Sequence, residues 1–182
     1  MSTRGAIGVV VDGEKKVAYN HFDSYPKGLG NDIVNELKLF KAQVKKTNKL
    51  SKTKTRYLSV LKNIAKEVKF VKEELKPDMQ DLKTINNNLE KNLFVSTFQP
   101  IRVELDITRD WCELLRPFQG KLIATLYSGY MFDANSFMKD SLFCEWAYIM
   151  NFDTKNFEIY EACSLVKSFP LNAIPENWIK QL

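Results

Sequence analysis

Residues that hold metals or build disulfide frameworks are scarce in this chain. Its 182 residues include one histidine and three cysteines. Cys112, Cys144 and Cys163 lack the short paired spacing that thiolate zinc sites use. Widely spaced cysteines in odd number are typical of reduced thiols that pack as small hydrophobic side chains. We therefore expect no metal site, no cofactor and no disulfide framework.

Long apolar runs are also missing. No stretch approaches the ~18 apolar residues that a membrane-spanning helix needs, and the N-terminus has no basic segment followed by an apolar stretch and a cleavage site. With 45% hydrophobic residues, seven glycines and six prolines, the composition is typical of a globular protein. The sequence predicts a cytoplasmic protein without a membrane partner, folded as a single domain over 1–182.

Acidic residues are scarce in one part of the chain. From Lys38 to Lys76 there are thirteen Lys or Arg and three Asp or Glu, although the whole chain has a net charge of only +5. An ordinary exposed helix interleaves both signs, because opposite charges one turn apart attract. A surface of one sign concentrates counter-ions and steers polyanions. The segment therefore predicts a negatively charged partner, either nucleic acid or an acidic protein surface.

Alternating apolar residues predict a β-hairpin near each end of the chain. The first covers about 5–22, where Asp12 and Gly13 form the turn between "AIGVVV" and "KKVAYNHF", because glycine reaches positive φ without Cβ strain. The second covers about 146–160, with its turn at "DTKN" between two alternating runs. The last residues, "SFPLNAIPENWIKQL", are expected to form a docked tail.

Helical periodicity fills the region between the hairpins. Apolar residues at three- and four-residue steps predict helices over about 33–44, 56–76 and 78–93, and again within 109–132. The stretch "FQPIRVELDI" at 98–107 predicts a short strand or an extended arm. This order predicts an α+β fold in which the two hairpins pair in a small antiparallel sheet packed with helices. A basic helical segment at about 33–93 is inserted between the hairpins.

The candidate binding residues belong to this basic segment. The helix predicted over 56–76 is amphipathic, and its lysines form a ribbon roughly 20 Å long at 1.5 Å rise per residue. Pro77 is expected to end this helix, because proline has no backbone N–H to donate. A solvated amphipathic face without a partner is the alternative interpretation. Few aromatic residues interleave with the lysines, so contact with DNA or RNA is expected to be backbone-directed and sequence-tolerant. The candidates are Lys45, Lys46, Lys49, Lys52, Lys54, Arg56, Lys62, Lys66, Lys69, Lys72 and Lys76.

Phrases along nearly the whole chain resemble a family of mostly uncharacterised proteins carried by bacteriophages and other mobile elements. The phrases are "MSTRGAIG", "YNHFDSYPKGLG", "DWCELLRPFQG", "DSLFCEWAYIMNFD" and "FEIY", in that order. The resemblance implies that the protein works in the cytoplasm of an infected or element-carrying bacterial cell. Small basic proteins in that setting often inhibit host defence, and anti-CRISPR proteins are among them.

The first hairpin also resembles the start of an N-terminal-nucleophile hydrolase. In that superfamily, removal of Met exposes a Cys, Ser or Thr whose own α-amine, with a pKa near 8, acts as the general base. The resemblance implies that Ser2 is the nucleophile and that Asn20 and Asp23 support it. Where the bile-salt hydrolase branch has Arg before this Asn, the chain has Tyr19, and this departure weighs against catalysis.

His21 is the chain's only side chain with an ordinary pKa near neutrality, so it is a candidate general base or a hydrogen-bonded packing residue. A relay of Ser2, His21 and Asp23 is disfavoured because neighbouring strand positions face opposite sides. The favoured hypothesis is a non-enzymatic binding protein that inhibits a host-defence nucleoprotein such as a CRISPR effector nuclease. The alternatives are an amide hydrolase that uses Ser2 and a plain DNA-binding accessory protein.

Overall fold

The computed structural model describes residues 3–50, 56–72, 75–91, 101 and 110–182. They form two compact units. Unit 1 consists of Met1–Asn35 and Asp133–Leu182, and unit 2 of Glu36–Phe132. The single domain predicted over 1–182 stays a prediction.

Unit 1 is built on a five-stranded sheet with the order β2-β1-β5-β6-β7. Its strands are β1 (Gly5–Val11), β2 (Glu14–Asn20), β5 (Trp146–Asn151), β6 (Asn156–Glu161) and β7 (Ser164–Pro170). Both predicted hairpins are confirmed, since β1 pairs antiparallel with β2 and β5 antiparallel with β6. The turn residues Asp12 and Gly13 have φ of 51° and 79°, as the sequence predicts.

The two hairpins join in parallel, so the prediction of a purely antiparallel sheet is wrong. β1 runs alongside β5 in the same direction, with Gly5 opposite Trp146 and Val10 opposite Asn151. Parallel neighbours need a long crossover connection, and the residues between β2 and β5 supply it. The fold is therefore α+β with a mixed sheet.

β7 replaces the first part of the predicted tail. It pairs antiparallel with β6 after a two-residue turn in which Ala162 and Cys163 have φ of 45° and 69°. Such turns favour Asn-Gly or Asp-Gly because both central residues need positive φ. Ala-Cys carries no such signal, and of the seven β7 residues only Phe169 is buried, so the sequence pattern does not predict the strand.

Both faces of the sheet are covered. On one face, Ala6, Val17, Ala147 and Ile149 pack with Met138 and Cys144 from the segment that includes the short 3-10 helix Phe137–Lys139. On the other face, the Phe157 ring meets the buried Trp178 edge-on at 6.1 Å between centroids. Gly30 comes so close to this side that an added Cβ would lie 2.7 Å from the Tyr148 ring. Gly30 therefore lets the chain pass at van der Waals distance before the first helix begins.

Unit 2 is mainly helical in the residues described. A π-helical turn, Pro26–Gly30, leads into α1, which begins in unit 1. The helices are α1 (Asn31–Leu50), α2 (Tyr57–Glu67), α3 (Met79–Lys91), α4 (Trp111–Leu115) and α5 (Leu122–Ser128). These helices confirm the helical regions predicted from the sequence. α1 is longer than predicted, because it extends to Leu50 and not to about residue 44. The arm predicted at 98–107 lies, apart from Ile101, outside the described residues.

The prediction of one long helix over 56–76 is wrong beyond Glu67, where α2 ends. Val68 has extended backbone, and Lys69–Val71 forms β3, which pairs in parallel with β4 (Tyr130–Phe132). The Lys69 N–H donates to Gly129 O at 2.9 Å. Valine and phenylalanine fit a pleated surface better than a helix, so pairing with β4 overrides the helical periodicity. Pro77 follows a loop and does not end α2.

Candidate polyanion-binding surface

One side of α1 carries closely aligned lysines. Leu37 and Phe40 are buried, but none of the residues from Lys41 to Lys49 is buried. At 100° per residue, the basic positions 38, 45 and 49 fall within about 40° of one another around the axis. We call the exposed side chains of Lys38, Lys45, Lys46 and Lys49 the α1 basic face. Within the part of the chain that the structure describes, none of these four forms an ion pair.

A cation–π contact places the start of α2 beside α1. The Lys41 Nζ lies 5.4 Å from the centroid of the Tyr57 ring, and burial raises the pKa of the Tyr57 hydroxyl. The preceding residue, Arg56, is exposed. α2 has no side-chain cap and no acidic residue in its first turn, so its N-terminal N–H groups and partial positive charge lie next to this guanidinium.

α2 contributes two further lysines. Leu61 and Ala65 bury one side of the helix, while Lys62 is half-buried and Lys66 is exposed. They lie four residues apart, so they share one helix face. This part of the predicted lysine ribbon is present.

The rest of the predicted lysine ribbon does not lie on a helix, so the prediction of a continuous 20 Å lysine face is wrong. Lys69 lies on β3, where its Nζ is 5.9 Å from the centroid of the Tyr130 ring. Lys72 and Lys76 follow β3 and are exposed. Lys52 and Lys54 lie outside the described residues. The basic residues of this region are therefore divided among α1, α2 and the β3 segment.

The charge asymmetry follows the division into units. Unit 2 contains nineteen Lys or Arg and eleven Asp or Glu, a net charge of +8, and unit 1 contains eight and eleven, a net charge of −3. The basic character therefore belongs to one compact unit. Sequence counting located the basic segment, but the boundary at Glu36 and Phe132 is visible only in the fold.

The candidate catalytic residues of the first hairpin hold a turn together. Asn20 is 5% exposed, and its Nδ2 donates to Phe22 O and, at 2.8 Å, to Ser24 Oγ. Asp23 has φ of 50°, and its carbonyl accepts from the Leu29 N–H at 2.8 Å. These contacts give Asn20 and Asp23 a structural role. Ser2 lies outside the described residues.

His21 takes part in an aromatic group. Its Nδ1 lies 2.6 Å from the Tyr19 hydroxyl, and its ring meets Phe22 edge-on with centroids 4.3 Å apart. The Phe22 side chain is 62% exposed. Burial, and secondly the negative charge of Asp23, raises the pKa of the Asp32 carboxyl nearby.

Two cavities escaped the sequence analysis. One, of about 440 Å³ in unit 2, includes Asn63, Glu67, Asn88 and Tyr127 in its walls. The other, of about 510 Å³ in unit 1, is lined by Lys15, Asn135, Met138, Lys139, Tyr160 and Cys163. Its residues come from widely separated parts of the chain, so no local sequence motif predicts this cavity.

Two kinds of feature are absent from the described residues. None of the described helices is both long and apolar enough to cross a membrane, and no three His, Cys, Asp or Glu side chains among them are grouped as metal ligands would be. No protein-family model, no curated protein and no solved structure matches the chain. The resemblances noted in the sequence therefore rest on the quoted phrases alone.

Proposed function

We propose that the protein is a non-enzymatic binding protein whose basic unit 2 contacts the phosphate backbone of a nucleic acid. In the setting implied by the resemblance to mobile-element proteins, that nucleic acid belongs to a host-defence nucleoprotein such as a CRISPR effector nuclease, which the protein inhibits.

The observation that carries the proposal is the α1 basic face. Lys38, Lys45, Lys46 and Lys49 are exposed on one helix, and no carboxylate among the described residues pairs with them. Like charges about one turn apart repel each other and destabilise the helix. Phosphate oxygens would remove this repulsion and release counter-ions from the nucleic acid.

The surroundings of the basic face support backbone contact rather than base reading. Within unit 2, the Tyr57 ring already packs under the Lys41 ammonium, and the half-buried Tyr127 packs near the Phe40 ring. Lysine is a flexible point charge and lacks the planar fork with which arginine reads guanine. We therefore expect binding that tolerates any base sequence.

The test is the salt dependence of binding to duplex DNA. The triple variant Lys45→Gln, Lys46→Gln, Lys49→Gln removes three charges from the α1 basic face. If all three lysines contact phosphates, the slope of log K against log salt falls in magnitude by about 2.7. The matched control is Lys27→Gln, Lys155→Gln, Lys180→Gln, which removes three exposed charges from unit 1. Equal slopes for both triple variants would contradict the proposal.

Inhibition is tested separately with a purified CRISPR effector nucleoprotein and its DNA target. The wild-type protein is expected to slow target cleavage, and the α1 triple variant is expected to inhibit less than the unit 1 control. If cleavage is unaffected while DNA binding persists, the protein is a DNA-binding accessory protein and the inhibitor assignment is wrong.

The hydrolase alternative has a direct chemical test. Intact-mass spectrometry reports whether Met1 is removed, and a retained Met1 blocks the free amine that the mechanism uses as its base. Amide hydrolysis that is lost in Ser2→Ala and kept in Thr3→Ala would favour the hydrolase. The contacts that commit Asn20 to Phe22 and Ser24 make this the second candidate.

A further inference from the structure

We infer that the 510 Å³ cavity of unit 1 binds a small organic phosphate, such as a phosphorylated sugar. All six lining residues belong to unit 1. The inference therefore concerns a second site, and it does not depend on the proposed function of unit 2.

The cavity contains uncompensated positive charge. None of its six lining residues is acidic, and two of them, Lys15 and Lys139, are lysines. Neither lysine forms an ion pair within the described ranges. The Lys15 Nζ is held 5.6 Å from the centroid of the Tyr160 ring, which forms another wall. A doubly charged phosphate suits two ammonium groups better than a singly charged carboxylate does.

The neighbouring carboxylates are committed to other donors. Glu158 accepts hydrogen bonds from the Tyr160 hydroxyl and the Asn151 amide, both at 2.8 Å. Asp133 accepts from the Asn135 N–H at 3.0 Å, and Asp140 accepts from the N–H of Leu142 at 3.0 Å. The lysines of the cavity therefore remain available to an anion.

The size of the cavity fits this class of ligand. Small-molecule sites range from roughly 300 to 1,000 Å³ and combine apolar walls with a few polar groups that fix orientation. Met138, the Tyr160 ring and the half-buried Cys163 supply the apolar walls. Lys15, Lys139 and Asn135 supply the polar groups.

Cys163 provides a reporter within the cavity. The probe is ribose 5-phosphate, and the readout is the rate at which the neutral reagent iodoacetamide alkylates each cysteine, followed by peptide mass spectrometry. We expect ribose 5-phosphate to slow alkylation of Cys163 in a saturable manner and to leave exposed Cys112 of unit 2 unchanged. Cys144 is buried, so its alkylation should be slow throughout.

A paired substitution tests the two lysines of the cavity. Lys15→Gln with Lys139→Gln should weaken ribose 5-phosphate binding about tenfold or more, as expected for lost charge-assisted contacts. The control, Lys27→Gln with Lys180→Gln, removes two charges from the same unit and should leave binding unchanged.

The inference is overturned if ribose 5-phosphate gives wild-type Cys163 no saturable protection, or if the cavity and control lysine pairs lose affinity equally. The wild-type measurements require no variant to fold, so a destabilised lysine variant does not remove the test.

Discussion

The hydroxyl of Tyr130 is buried against a carboxylate in unit 2. It donates to Asp81 Oδ1 at 2.7 Å, and the ring stacks on Trp111 with centroids 4.9 Å apart. Burial is the largest cause that raises the pKa of Tyr130 to about 12, followed by the hydrogen bond to Asp81 and the charges of Asp81 and Asp78. The folded state therefore holds this proton more tightly than the unfolded state does.

This raised pKa predicts a loss of stability in alkali. The contribution of Tyr130 is fully present below pH 10, the ordinary pKa, and is lost as the pH rises toward 12, because only the unfolded state then releases the proton readily. Tyr130→Phe keeps the ring and should reduce the fall in unfolding free energy over this range. Urea denaturation at several pH values measures it, with exposed Tyr25→Phe as control. Equal pH profiles for wild type and Tyr130→Phe would contradict it.

Glu36 is a second residue whose removal has a defined cost. It is 6% exposed, and its Oε2 accepts from the N–H of Ile123 at 3.2 Å, near the start of α5. Glu36→Ala leaves that donor buried without this acceptor, so we expect a loss of about 1–3 kcal/mol in unfolding free energy. Glu36→Gln keeps an acceptor oxygen and should lose less, as measured by urea denaturation. An Ala variant as stable as the Gln variant would contradict this role.

At the scale of elements, β3 depends on a backbone hydrogen bond at its first residue. The Lys69 N–H donates to Gly129 O, and β3 is only three residues long. Lys69→Pro removes the donor and should lower the unfolding free energy by about 1–3 kcal/mol. Lys69→Gln removes the charge but keeps the N–H, so its stability should stay near wild type. If both substitutions lower the unfolding free energy equally, the loss comes from the Lys69 side chain and not from the hydrogen bond of the strand.

The elements that the sequence predicted share strong local signals. The first hairpin has Asp12-Gly13 at its turn, and α3 has buried Leu82, Ile85 and Leu89 at helical spacing. β3 and β7 were missed because their formation depends on partners distant in sequence. Val68 and Val71 continue the apolar period of α2, so only pairing with Tyr130–Phe132 distinguishes strand from helix there.

The candidate sites divide in the same way. Lys45, Lys46 and Lys49 were predicted because they lie in one basic run, although the helix that carries them was predicted to end at about residue 44 and extends to Leu50. The cavity of unit 1 was not predicted, because Lys15 and Asn135 are 120 residues apart in the sequence and meet only in the folded unit.

At the scale of the whole molecule, the net charge of +8 on unit 2 predicts that salt stabilises the free protein. Salt screens the repulsion between lysines, so the melting temperature should rise between about 0.02 M and about 0.3 M KCl. The triple variant Lys45→Gln, Lys46→Gln, Lys49→Gln should melt higher than wild type at low salt, and the gap should shrink at high salt. Thermal unfolding followed by circular dichroism measures both. A melting temperature that is independent of salt in the wild type would contradict this account.

The parallel pairing of β1 with β5 also affects how the chain folds during its synthesis. On the ribosome, the N-terminal hairpin emerges first, but the strand that completes its apolar edge follows only after all of unit 2 has been translated. During that interval β1 presents open backbone groups, which can template association with other nascent chains. Translation speed and chaperone supply should therefore affect the yield of native protein.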